Sequence, residues 1–182
     1  MFRTFIVGLL FLIAILFSTN TGYSYLLNTY QSPSLEQIKD NMNQRYGKEQ
    51  IDCIIEATYF EARGEDQEGH KAIVEVIVNR TLNDSFPDTF CGVVRQDKQF
   101  SYRNGDKKNN LVYRNKKKKA EITNTVYSHL YNVTERKGFS VLPDCVSHYD
   151  GKSFKKPKWS KNMEMVQEIG NHQFYCYPNS IV

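Results

Sequence analysis

The sequence predicts a mainly helical α+β domain with a small loop and β-hairpin region towards its C-terminal end. Three observations carry that prediction. Apolar residues recur at three- and four-residue steps through separate stretches between Glu49 and Tyr131. After Val141 the chain becomes short, aromatic and punctuated by Pro143, Gly151, Pro157, Gly170 and Pro178. With 12 Tyr and 11 Phe in 182 residues, there is large apolar surface for one real core, and no repeat or low-complexity tract interrupts it.

Taken in order, Arg3 precedes an uncharged apolar run from Phe5 to Phe17 and then the polar Ser18-Thr19-Asn20-Thr21-Gly22. The run is shorter than the roughly 20 residues a membrane span needs, which suits the core of a signal peptide. Extended through Tyr23, Tyr25, Leu26 and Leu27, it suits an uncleaved signal anchor instead, and a buried N-terminal helix is the remaining reading. Residues 1–30 are therefore assigned to a signal peptide or membrane anchor, and 31–47, polar and holding Pro33, to a linker that carries at most one short helix. The main domain is expected to run over residues 48–182.

Within it, Ile51, Ile54, Ile55, Thr58 and Ala62 keep helical spacing over Glu49 to Ala62, uninterrupted by proline or glycine. Glu61 lies almost two turns after Ile54, so its carboxylate projects at the edge of the buried face. Partial burial disfavours the charged form and raises a carboxyl pKa, as a group that donates a proton near neutral pH requires. The plainer reading is a solvated helix end, with Arg63 bridging to Glu61 or Glu65. Gly64 stops the helix. Glu65, Asp66 and Glu68 suit the first turn of the next, in which Ala72, Ile73, Val76, Ile77 and Arg80 keep helical spacing. Val74 and Val78 would suit a strand, but polar Glu75 and Asn79 fall on one helical stripe. Asn83 to Asp88 is a turn, Phe90 to Val94 returns to the core, and Thr123, Val126, Tyr127, Leu130 and Tyr131 mark another amphipathic helix ended by Lys137-Gly138. A hairpin is expected around Val146 to Tyr149 and Gln173 to Tyr177. A cleft is expected between the Glu61 helix and these late loops.

Charge is unevenly spread: Ser34 to Val94 holds 12 acids and 6 bases, whereas Arg95 to Lys119 holds 10 bases and 2 acids. The basic part fits an anionic partner, or Lys116 to Lys119 are simply a solvated run. Nucleic acid is not expected, because no nucleic-acid-binding module is visible and an exported chain rarely meets it. Cys53, Cys91, Cys145 and Cys176 suggest two disulfides in an exported domain, with three connectivities open; four buried thiols are the alternative. His70, His129, His148 and His172 fall in no His-Glu-x-x-His pattern and the cysteines in no Cys-x-x-Cys pair, so no metal or other cofactor is expected.

Several short runs share an order: Tyr59 to Glu65, Glu68-Gly69, Val78-Asn79-Arg80, Phe86-Pro87, Gly92-Val93-Val94, Gln99-Phe100-Ser101, Ser147-His148-Tyr149, Pro157-Lys158-Trp159 and Ile169 to Tyr175. Together, over roughly Asp52 to Cys176, they resemble the cell-wall hydrolase family typified by SleB, the spore-cortex-lytic enzyme. His70 stands where that family often has Gln, Tyr102 where many members have Trp, and a lysine-rich insertion follows Gln99-Phe100-Ser101. The resemblance implies a lysozyme-like fold and cleavage of peptidoglycan glycan strands by a catalytic Glu61, the first Glu of Glu-Ala-Arg-Gly-Glu. It also implies that Gln99, Ser101, His148 and Tyr149 bind the sugar through hydrogen bonds and that Tyr102 or Trp159 stacks on a pyranose face; packing and backbone satisfaction are the alternative roles for each. His172 is read as packing or capping locally.

A hydrolase would need a second carboxylate about 5 to 10 Å from the first. Glu65, Glu75, Asp97, Asp106 and Asp150 are the candidates, none in a comparable motif. A lytic transglycosylase needs only one acid-base residue, because the muramic acid 6-hydroxyl itself attacks the anomeric carbon, and this reading is placed first. Hydrolytic muramidase, N-acetylmuramoyl-L-alanine amidase and a non-catalytic wall-binding module are the alternatives. The chain is expected to be exported and to act on peptidoglycan as a monomer.

Overall fold

Helix α2, Lys48–Ala62, is the axis of the helical body. Ile51, Ile54, Ala57, Tyr59 and Ala62 are all buried, on more than one side of the helix, because four other helices pack around it. The computed structural model describes residues 32–105, 111–136, 138, 140–152 and 156–178, so the expected leader at 1–30 lies outside the described residues. The chain divides into Met1–Ser34 and a second unit, Leu35–Val182, to which everything below belongs. Among the described residues, no helix is long and apolar enough to cross a membrane.

The stretch expected as a linker holds helix α1, Leu35–Tyr46. Its Met42 is 1% exposed, Tyr46 packs its ring 5.2 Å from Phe90, and Tyr127 donates a hydrogen bond to Asn43 at 2.8 Å. The folded unit thus begins at Leu35 rather than near Lys48. Only Leu35, Ile38, Met42 and Tyr46 supply its apolar stripe, which is why composition alone reads it as a linker.

Helix α3, Gln67–Thr81, starts at Asp66, whose carboxylate accepts from the Gly69 N–H at 3.0 Å. Helix α4, Phe90–Arg95, is capped by Thr89 and cross-linked to α2 by the Cys53–Cys91 disulfide. Helix α5, Lys116–Tyr131, is capped by Asn115, so the lysine run forms its first turn; a single π turn, Asn132–Arg136, follows. The helix preference for α3 is borne out, and its polar stripe faces protein rather than water. Glu75, 2% exposed, accepts hydrogen bonds from His129 of α5 at 2.6 Å, Ser140 Oγ at 2.6 Å, and the N–H groups of Val141 and Leu142 at 2.7 Å each. Asn79 donates to the carbonyls of Pro143 and Val146, and Arg80 Nε to that of Ser147 at 2.7 Å.

That stitched segment leads into a three-stranded antiparallel sheet of β1, His148–Gly151, β2, Glu164–Ile169, and β3, His172–Cys176, in the order β1-β3-β2. The two stretches expected as a hairpin do pair, as β1 and β3, but the tight hairpin is β2–β3, turned by Gly170 and Asn171. Gly170 has φ +56°, the left-handed backbone that two-residue hairpin turns demand. Phe174, paired with Tyr149, is fully buried in a second apolar cluster with Ala72 and Val76 of α3. The Cys145–Cys176 disulfide joins the stitched segment to β3. The two bridges select one of the three connectivities, each closing a loop of more than 30 residues in the unfolded chain.

Met42→Ala should lower unfolding free energy by about 2–5 kcal/mol in urea titration, as for other buried large-to-small changes. A change below a few tenths of a kcal/mol would return α1 to the status of a linker.

Candidate active site

Three elements converge on Glu61. It sits one residue before the end of α2, where the half-buried carboxyl accepts a hydrogen bond from the Tyr149 hydroxyl of β1 and lies in the field of Arg80, one residue before the end of α3. Burial pushes the Glu61 carboxyl above its ordinary value of 4.5, with the Tyr149 hydrogen bond and the Arg80 charge pulling the other way. Burial and the Glu61 charge together hold the Tyr149 hydroxyl well above the usual tyrosine range, so it stays a proton donor in that bond.

Arg80 is the residue that sequence reasoning missed. It was legible as a base keeping apolar spacing with Ile73 and Ile77 and as part of the Val78-Asn79-Arg80 run, but no role was assigned to it, and it is 3% exposed. Its guanidinium lies over the rings of Phe86 and Phe100, at 5.2 and 5.6 Å, and Nε is held by the Ser147 carbonyl. Nη1 is buried and has no partner among the described residues. Burial lowers the Arg80 pKa, and the negative charge of the Glu61 carboxylate opposes that shift.

The other predicted positions divide. Strand alternation sends Tyr149 to the inner face of β1 and His148 to the outer. His148 lies among the rings of Trp159, Tyr177 and Phe86 at 5.3, 5.6 and 5.9 Å, and burial with the Arg80 charge brings its pKa down to about 4, so it is neutral near pH 7. Trp159, in the short 3₁₀ turn Lys158–Asn162, is 37% exposed and sets its ring edge-on to Tyr175. Gln99 and Ser101 flank the buried Phe100; among the described residues, neither side chain hydrogen-bonds to Glu61, Tyr149 or Arg80, and it is Phe100 that meets the guanidinium. Tyr102 stacks its ring on Phe60 at 4.8 Å, and its hydroxyl donates to Glu56 at 3.0 Å, an oxygen that Arg103 also contacts. His172 packs against Tyr149 at 5.4 Å.

Of the possible second carboxylates, Glu75 is saturated by the bonds given above, and those bonds hold it below the usual glutamate range despite its burial. Both Glu65 oxygens are occupied by Asn171. Asp150 alternates to the face of β1 opposite Tyr149, and Asp97 is exposed beside Lys98. Asp106 lies outside the described residues.

A mainly helical body thus joins a small antiparallel sheet, the α+β class expected from the sequence, with Glu61 at the junction of the two. Residues 64–175 match the family model for Cell Wall Hydrolase, and the chain belongs to that family. The match begins three residues after Glu61 and includes Arg80, His148, Tyr149 and Trp159. Over 61 residues the chain is 41% identical to the spore cortex-lytic enzyme of Oceanobacillus iheyensis, covering 34% of this chain and 22% of that protein. Over 66 residues it is 35% identical to the spore cortex-lytic enzyme of Bacillus subtilis, covering 36% of this chain and 22% of that protein. The alignment thus spans about a fifth of the length of these curated relatives. The fold matches the catalytic domain of the germination-specific lytic transglycosylase SleB from Bacillus anthracis, with TM-score 0.57 and 23% identity over 71% of this chain and 96% of that one. It also matches the catalytic domain of Bacillus cereus SleB, with TM-score 0.54 and 24% identity over 71% and 91% of the two chains.

A carboxyl raised by folding binds its proton more tightly folded than unfolded, so its contribution to stability falls as pH rises from the unfolded to the folded pKa. Glu61→Gln keeps an acceptor for Tyr149 and removes that penalty. The variant should match the parent in thermal melts at pH 3 and exceed it in Tm at pH 7; equal melts at both would mean the carboxyl is solvated.

Proposed function

We propose that the chain cleaves peptidoglycan glycan strands as a lytic transglycosylase, with Glu61 as general acid and then general base. The observation that carries this reading is a single half-buried carboxyl, raised by burial and set at the junction of α2, α3 and β1. Protonated Glu61 gives its proton to the glycosidic oxygen as the bond from the muramic acid anomeric carbon breaks, releasing the N-acetylglucosamine hydroxyl. The muramic acid 6-hydroxyl then attacks that carbon, and its proton passes to the Glu61 carboxylate. The acid is restored, no water is consumed, and the product is a 1,6-anhydro sugar.

The bonds already made by Glu65 and Glu75, and the strand alternation that sets Asp150 on the face of β1 opposite Tyr149, favour this route over hydrolysis through a second carboxylate. Family membership and the names of the relatives support the substrate class. Of the expected sugar contacts, the Tyr149 hydroxyl lies at Glu61, and Trp159 keeps part of its ring exposed. Two disulfides fit a chain that works outside the cytoplasm, and the basic surface fits an anionic wall polymer.

Mass spectrometry of the soluble products from purified sacculi tests the reading, with Glu61→Gln as control. Anhydro-ended muropeptides should appear and be lost in the variant. Reducing-end sugars would replace transglycosylation with hydrolysis, and free peptides with intact glycans would replace both with amide cleavage.

A further inference from the structure

Glu65 stands four residues after Glu61, beyond the end of α2. Glu65 Oε2 accepts the Asn171 backbone N–H and Oε1 accepts the Asn171 side-chain amide, both at 3.0 Å, across 106 residues of sequence. These are charge-assisted bonds and hence stronger than their neutral counterparts. Two glycines are shaped around this one side chain. A Cβ on Gly170 would lie 1.9 Å from Glu65 Oε2, and one on Gly69 would lie 2.5 Å from Glu65 Cβ. A two-residue hairpin turn alone would not demand so close an approach.

The clamp lies where β3 begins. His172, the next residue, packs on Tyr149, and Phe174 pairs with Tyr149 across the sheet. Tyr149 in turn reaches back to Glu61, at the other end of the five-residue stretch that also holds Glu65. The α2–α3 joint therefore grips the sheet twice, through Glu65 at the hairpin turn and through Glu61 at β1.

We propose that Glu65 is a positioning residue: by holding Asn171 it fixes the sheet so that the Tyr149 hydroxyl stays on the Glu61 carboxyl during proton transfer. This rests on the reading of Glu61 as the acid. Two opposite effects separate positioning from simple charge. Removing an anion would lower the pKa of a nearby acid, whereas loosening the Tyr149 bond, which holds Glu61 down, would raise it.

The test is a double-mutant cycle of Glu65→Gln and Tyr149→Phe in the full chain, following kcat, KM and the pH profile on purified sacculi. Glu65→Gln should lower kcat about 10–100-fold, the scale of a small misplacement of reacting groups, with KM within about threefold. The limb that needs protonated Glu61 should move to higher pH. In the Tyr149→Phe background the same substitution should change kcat less than about threefold and leave that limb where it is, because the two act through one bond. Effects that multiply independently, or a limb moving to lower pH, would overturn the proposal. If Glu65→Gln fails to fold by circular dichroism, Asn171→Ala, which removes one of the two clamp bonds, takes its place in the cycle under the same criteria. Full activity in Glu61→Gln would instead remove the underlying reading, a result distinct from a failed cycle with Glu61→Gln inactive.

Discussion

The structure depends most on the buried Glu75 carboxylate. Four hydrogen bonds converge on it, from His129 of α5 and from three donors in residues 140–142. A buried carboxylate with fewer partners would carry a large desolvation penalty; with four it becomes a fixed point to which a segment lacking helix or strand can be tied. Asn79 and Arg80 continue the same line of α3, holding the carbonyls of Pro143, Val146 and Ser147. The residue after Ser147 is the first of β1. The height of β1 against the helical body, and with it Tyr149, is set by this row of polar contacts together with the Cys145–Cys176 bridge.

The same row explains what sequence could and could not convey. Glu75 and Asn79 four residues apart were legible as a helix, because periodicity is local. That their stripe meets residues 140–147 instead of water depends on contacts more than 60 residues distant in sequence, and no local pattern encodes it. Glu61 was legible for a related reason: its offset from Ile54 sets it at the border of the buried face whatever packs there. The contacts of Tyr102 were not, since its stacking on Phe60 and its bond to Glu56 join residues more than 40 apart.

Two elements were blurred by weak patterning: the one short helix allowed in residues 31–47 was not read as part of the folded unit, and β2 was not read as a strand. Helix α1 buries one narrow stripe and is otherwise polar, so composition outweighed periodicity. Strand β2 carries a bulge between Met165 and Gln167, which breaks the period of two just where alternation would have shown, and all six of its residues are exposed or only partly buried. The pairing of the cysteines lay beyond sequence altogether, because it depends on which Cα atoms approach to 5.3 Å in the fold.

Glu61 and Arg80 share one desolvated place, and that sharing bears on the proposed chemistry. Burial alone would drive the glutamic acid and the guanidinium towards their neutral forms; each charge offsets part of the other's penalty, and burial still prevails at Glu61. A group that must first give up a proton and then take one back is served by such opposition. The burial keeps the proton available for donation, while Arg80 and the Tyr149 hydroxyl stabilise the carboxylate left behind until the attacking hydroxyl returns a proton. Arg80 cannot swing away to relax this arrangement, since Nε is tied to Ser147 and the rings of Phe86 and Phe100 enclose it. Its charge is thus in place before reaction and requires no reorganisation during it, the condition under which electrostatic stabilisation lowers a barrier most.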